Sequence, residues 1–219
     1  SEYGESGFKD LRNTKDEVKK IEKTLVDNGF SVKAYLGSKG NAESFVALNG
    51  KSPSIVHIAT HGFYYTPDEA KDKDFLRGYT DAMSLSGLVF AGGNAAWLGK
   101  KNVDGVLSGV LTAKDIANLD FKGTDLLVLS ACKTGQGKVT AEGVFGLQRA
   151  FKKAGVGTII MSLWNVDDKV TSEFMTTFYE CLADKKNAWN KRKAFEEAKE
   201  IIRQKHPDPF HWAAFVMLD

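Results

Sequence analysis

The chain has 219 residues, 42% of them hydrophobic and 26% charged, with a formal net charge of +2. That length supports one sizeable core, and the near-neutral balance with dispersed Lys and Arg argues against nucleic acid as a partner. Only two cysteines occur, Cys132 and Cys181, too few for a disulfide framework, so a reducing, cytoplasmic setting is expected.

No apolar run approaches the ~20 residues of a membrane span, and the polar start Ser1-Glu-Tyr-Gly-Glu does not read as a signal peptide. The absence of an initial Met suggests processing or excision from a longer chain. In chain order, Thr14-x-x-Glu17 has the form of a capping box, and Val18, Ile21 and Leu25 follow at helical spacing before Gly29. Residues 30–36 alternate like a strand, and Asn41 can cap a short helix to about Leu48. The first sixty residues therefore predict β/α units with parallel strands.

Two segments share one grammar: Ile55-Val-His-Ile-Ala-Thr-His61-Gly62 and Leu126-Leu-Val-Leu-Ser-Ala-Cys132. Each is a run of apolar, mostly branched residues, as in a strand buried on both faces of a parallel sheet, and each ends in a residue able to do chemistry. Between them, 63–110 changes texture. A charged stretch over 66–74, a strand at 86–91 and a glycine-rich run from Gly92 to Gly109 read equally as a substrate-groove loop region or as a surface insertion. A capped helix over 112–117 precedes the Cys132 strand. After it come a helix capped by Thr140 and ended by Gly155, a strand over 157–163, and a helix with Val170, Phe174, Phe178 and Leu182 on one face. A last helix from about Ala188 to Gln204 and a closing strand over 213–218 complete one α/β domain over 1–219.

Cys132 lies in Ser130-Ala-Cys132-Lys-Thr-Gly135-Gln-Gly137. A free cysteine is often a small buried hydrophobe, but a strand end followed by a glycine-rich turn is where a nucleophile meets its oxyanion donors. Lys133 favours the thiolate modestly. His61 reads either as a residue satisfying backbone groups or as the general acid and base of a Cys–His pair, with the Gly62 N–H directed at a carbonyl. His57, four residues earlier, has a strand context and lacks the glutamate of a zinc helix, so it reads as a buried, hydrogen-bonded histidine. Cys181 falls in an amphipathic helix and reads as core. Asp167 and Asp168 follow another strand; Asp168 can cap the next helix, or the two can form an acidic pocket for a cationic side chain. No phosphate loop and no Gly-x-Ser-x-Gly elbow is present.

The order His61-Gly62, then Ser130-Ala-Cys132-x-Thr-Gly135, resembles the CHAT domain of the caspase–separase group of cysteine peptidases. The likeness continues through Asp104-Gly-x-Leu, the Glu142-to-Phe151 run, Ser162-Leu-Trp164-x-Val-x-Asp168 and Trp212-Ala-Ala-Phe215. It implies a caspase-like three-layer sandwich with a central, mainly parallel six-stranded sheet and helices on both faces. It further implies a cysteine endopeptidase with Cys132 as nucleophile, His61 as acid and base, and the N–H groups of Gly62 and Cys132 as oxyanion hole. No metal or organic cofactor is implied. Asp168 matches the acidic end of the separase-like Trp-Asp-Val-Thr-Asp run, whereas Asn165 and Asp167 depart from it; cleavage after a basic residue follows, with Asp168, Asp167, Glu142 and Asp104 as candidate pocket acids. The resemblance also implies a protein substrate and a regulatory module, tetratricopeptide-like or another sensor, in cis or trans. The alternative is a catalytically silent caspase-like scaffold.

Overall fold

The computed structural model describes residues 7–8, 11–71, 76, 78–98, 109–130 and 141–219, with 141–145 as backbone. Its centre is a four-stranded sheet in the order β1 (Ile55–Ile58), β5 (Leu126–Leu129), β6 (Thr158–Ser162), β7 (Phe215–Leu218). The first three strands are parallel and β7 runs antiparallel to β6. Every residue of β5 and β6 is buried, which is why these segments carry no polar alternation.

Alternation within β5 and β6 divides the core in two. Leu127, Leu129, Ile159 and Met161 face one cluster, with Phe45 of α2 (Ala42–Val46), Ile116 of α5 (Ala113–Ile116) and Phe151 of α6 (Ala141–Lys153). Leu126, Val128 and Ile160 face the other, formed with α1 (Thr14–Asp27), α7 (Asp168–Ala183) and α8 (Lys191–Lys205). Helices thus cover both faces of a mainly parallel sheet, a mixed α/β architecture. On the second face Phe174 stacks on Phe215 with centroids 3.9 Å apart, joining α7 to the edge strand.

The expected six-stranded sheet is not what the described residues form. A second, antiparallel sheet of three strands, β2 (His61–Tyr64), β3 (Ser86–Val89) and β4 (Val110–Thr112), stands apart from the first. Residues 30–36 form no strand. They run along one side of a cleft of about 1410 Å³ whose other side is β1, and β1 pairs with β5 alone among the described strands. Alternating side chains did not suffice there because no backbone ladder closes across that gap.

Within 63–110 the described residues are largely regular: α3 (Pro67–Ala70), with a capping box from Thr66 and Glu69, then β3, then α4 (Gly93–Trp97), then β4. Gly87 permits the small sheet to close. A Cβ there would lie 2.1 Å from the Leu111 carbonyl oxygen and 2.7 Å from the Phe63 ring.

Several helix ends differ from expectation. Asn13, not Thr14, is the residue before α1, and the Glu17 carboxylate turns inward to His57 instead of back to the helix start. Asp167 caps α7 by accepting from the N–H groups of Lys169 and Val170, the task expected of Asp168. The last helix begins at Lys191, capped by Asn190, because Ala188 and Trp189 take left-handed backbone angles. Asn41 and Thr112 cap α2 and α5 as expected. Among the described residues, the short elements α3, α4, α9 (Pro209–Trp212) and β4 were not anticipated.

Candidate active site

The run that ends in His61 is two strands, not one. β1 stops at Ile58, and His61 opens β2 in the small sheet, in register with Val89, with Gly62 opposite Leu88. Thr60 makes the switch: its hydroxyl donates to the Val89 carbonyl and draws the chain out of the parallel sheet. His61 therefore sits at the join of the two sheets, 9% exposed, and lines the end of the cleft along β1.

The described part of the partner segment ends at Ser130, beside β1. The Ser130 N–H donates to the Ile58 carbonyl at 2.9 Å, carrying the β1–β5 ladder one step beyond β5. Ser130 is buried. Cys132 follows two residues later and lies outside the described residues, as does Asp104. Glu142 falls in the first turn of α6, which the structure describes as backbone.

The other two acids already have local partners. Asp168 Oδ2 accepts from both the backbone N–H of Asn13, at 3.2 Å, and its side-chain amide, at 2.7 Å. Asp167 is exposed and accepts from Lys169 N–H through Oδ1 at 2.9 Å. Both stand just beyond the carboxyl end of β6, the strand next to β5, where ligands of parallel sheets bind.

One neighbour of His61, and the residues that hold it there, escaped the sequence reading. The Phe8 ring packs on the imidazole with centroids 4.9 Å apart, and on Trp97 at 4.4 Å. Nothing around Phe8 in the sequence marks it; Asn94 and Trp97 lay in or beside a glycine-rich stretch that signals only conformational freedom.

His57 is hydrogen-bonded as expected, but half-buried instead of fully buried. Its Nε2 lies 2.9 Å from Glu17 Oε1, and its Nδ1 lies 3.4 Å from the Tyr179 hydroxyl. A carboxylate only accepts, so Nε2 carries the hydrogen. Burial, then the nearby Glu17 charge, raises the Tyr179 hydroxyl far above its ordinary value and keeps it protonated. Cys181 is also the core residue expected: burial, with the Glu197 charge second, pushes its thiol up to about 11.

The comparison that decides the family covers almost the whole chain: the CHAT domain model matches residues 2–219. The chain belongs to the CHAT domain family. Among curated proteins, it is 32% identical over 111 residues to human Tetratricopeptide repeat protein 28, and 31% identical over 111 residues to the mouse protein of that name. Each match takes in 50% of this chain but 4% of the relative. This CHAT domain thus corresponds to a small part of those proteins. Among its described residues, no helix is long and apolar enough to cross a membrane.

Proposed function

We propose that the chain is a single CHAT peptidase domain, a cysteine endopeptidase on a caspase-like sandwich, with Cys132 as nucleophile and His61 as acid and base. The supporting observation is the Ser130–Ile58 hydrogen bond. It aligns two adjacent parallel strands whose chains reach Cys132 and His61 two and three residues later. Family membership adds to it.

In this reading His61 takes the thiol proton as the sulfur attacks the peptide carbonyl, and the N–H groups of Gly62 and Cys132 receive the developing oxyanion. Collapse of the tetrahedral species breaks the C–N bond, and the imidazolium protonates the leaving amine. Water, deprotonated by the same imidazole, then hydrolyses the thioester and returns the thiol. Neither metal nor organic cofactor enters these steps.

A basic residue before the scissile bond is assigned to the acids Asp168, Asp167, Glu142 and Asp104, with 63–110 contributing to the groove. The curated relatives carry tetratricopeptide repeats in their names, and we assign regulation of this domain to a repeat module of that kind, in cis.

An electrophilic peptide with Arg at its reactive end tests the reading. It is expected to label Cys132 and leave Cys181 untouched, and Cys132→Ala is expected to abolish cleavage of a protein substrate. Cleavage that persists in the folded Cys132→Ala protein rejects it.

A further inference from the structure

Phe8 is held next to His61 by more than packing. Its N–H donates to Asn94 Oδ1 at 2.7 Å, and Asn94 Nδ2 donates back to the Phe8 carbonyl at 3.0 Å. One side-chain amide thereby reads both polar groups of one residue, as a neighbouring strand would. This double match also fixes which end of the Asn94 amide is oxygen.

The ring of Phe8 enters a space formed by the His61 imidazole and Trp97. Trp97 is buried, and Phe63 and Tyr65 stand around it, each with its centroid 5.6 Å away. The preceding residue is constrained as well. Gly7 has φ +70°, and a Cβ there would lie 2.7 Å from Asn94 Oδ1. Asn94, His61 and Phe8 all line the cleft that runs along β1.

We infer that Asn94, Trp97 and His61 form a peptide-binding subsite for a glycine–aromatic pair, which Gly7-Phe8 occupies in cis. Each part of that pair has its own recognition element. The amide of Asn94 takes the backbone of the aromatic residue, the rings of Trp97 and His61 take its side chain, and the left-handed backbone angle before it, with Asn94 Oδ1 close by, favours glycine there. The assignment rests on the peptidase reading in one respect: the natural ligand is then a stretch of substrate, which competes with Gly7-Phe8 for the space beside the catalytic imidazole.

The test uses acylation of His61 by diethylpyrocarbonate on the full chain, read by mass spectrometry with the Glu17-bonded His57 as internal reference. Phe8→Ala is expected to raise His61 modification several-fold, and acetyl-Gly-Phe-amide at millimolar concentration is expected to restore protection. Acetyl-Ala-Phe-amide and acetyl-Gly-Ala-amide are expected not to protect. Asn94→Ala, which leaves both rings in place, is expected to expose His61 and to abolish rescue in the double variant. Circular dichroism establishes that each variant is folded.

Unchanged His61 modification in folded Phe8→Ala overturns the inference. So does exposure that no dipeptide reverses, which identifies Phe8 as a packing residue only. Equal protection by all three dipeptides overturns it too. These readouts do not require Cys132: if the electrophilic peptide fails to label while acetyl-Gly-Phe-amide still protects His61, the peptidase reading falls and the subsite stands.

Discussion

Glu17 and His57 meet 2.9 Å apart beneath the sheet, on α1 and β1, with the carboxylate side chain 1% exposed and the imidazole 10% exposed. Tyr179 of α7 completes the contact. Three elements distant in sequence are thus pinned by one polar cluster beside the apolar core on the second face of the sheet. Burial raises the cost of leaving any member without its partner.

His57→Ala removes the one hydrogen-bond partner that the Glu17 side chain has among the described residues, leaving a carboxylate with almost no access to water, and is expected to cost about 3–5 kcal/mol of stability. Glu17→Gln keeps an acceptor for the imidazole N–H and is expected to cost about 1–2 kcal/mol. Urea unfolding of both variants checks the order; a larger loss in Glu17→Gln contradicts it.

Gly87→Ala places a methyl group against the Leu111 carbonyl, a backbone atom that cannot rotate away. β3 must shift from β4, at an expected cost of about 1–3 kcal/mol or more. Hydrogen exchange is expected to accelerate in β2, β3 and β4 and to remain slow in β5 and β6, since the two sheets are separate.

Cys181 is expected to resist iodoacetamide in the folded protein at neutral pH, because a thiol pushed up to about 11 is almost wholly protonated there. Modification in denaturant and none without it is the expected pattern. Labelling of folded Cys181 at the rate of a free thiol contradicts it.

The Lys205 ammonium, then the His206 imidazole, hold Glu173 below the usual carboxylate range. The unfolded chain therefore binds this proton at higher pH than the folded one, and stability rises with pH across that interval. The contribution is complete above the ordinary glutamate value of about 4.3 and lost as pH falls through the lowered one. The melting temperature of Glu173→Gln is expected to lie below the parent's at pH 6 and to converge with it on acidification. A gap that widens below pH 4 is the opposite sign and rejects the assignment.

Much of the domain was legible in the chain because its signals are local. The mostly apolar runs at Leu126 and Thr158, without polar alternation, declare strands buried on both faces, and they are. The apolar stripe through Val170, Phe174 and Phe178 declares a one-sided helix, and it packs on that side. Asn41 and Thr112 announce helix starts through a side chain that reaches three residues ahead. His57 was legible as a hydrogen-bonded strand histidine because its neighbours are apolar, although its partner was not.

Pairing across the chain was not legible, because it depends on which groups arrive together. Glu17 fits a capping box on spacing, yet its carboxylate serves His57, forty residues away. Asp167 and Asp168 are adjacent and chemically identical; their angle of departure from β6 makes one the cap of α7 and gives the other to Asn13. The apolar run through Ile58 and His61 conceals a change of sheet that the Thr60–Val89 hydrogen bond makes. What the amino-acid order determined was most of the strands and long helices and the residue types offered at their ends. Only the tertiary structure decided which ends meet, since a hydrogen bond or ring contact specifies a distance in space and leaves no mark on the spacing along the chain.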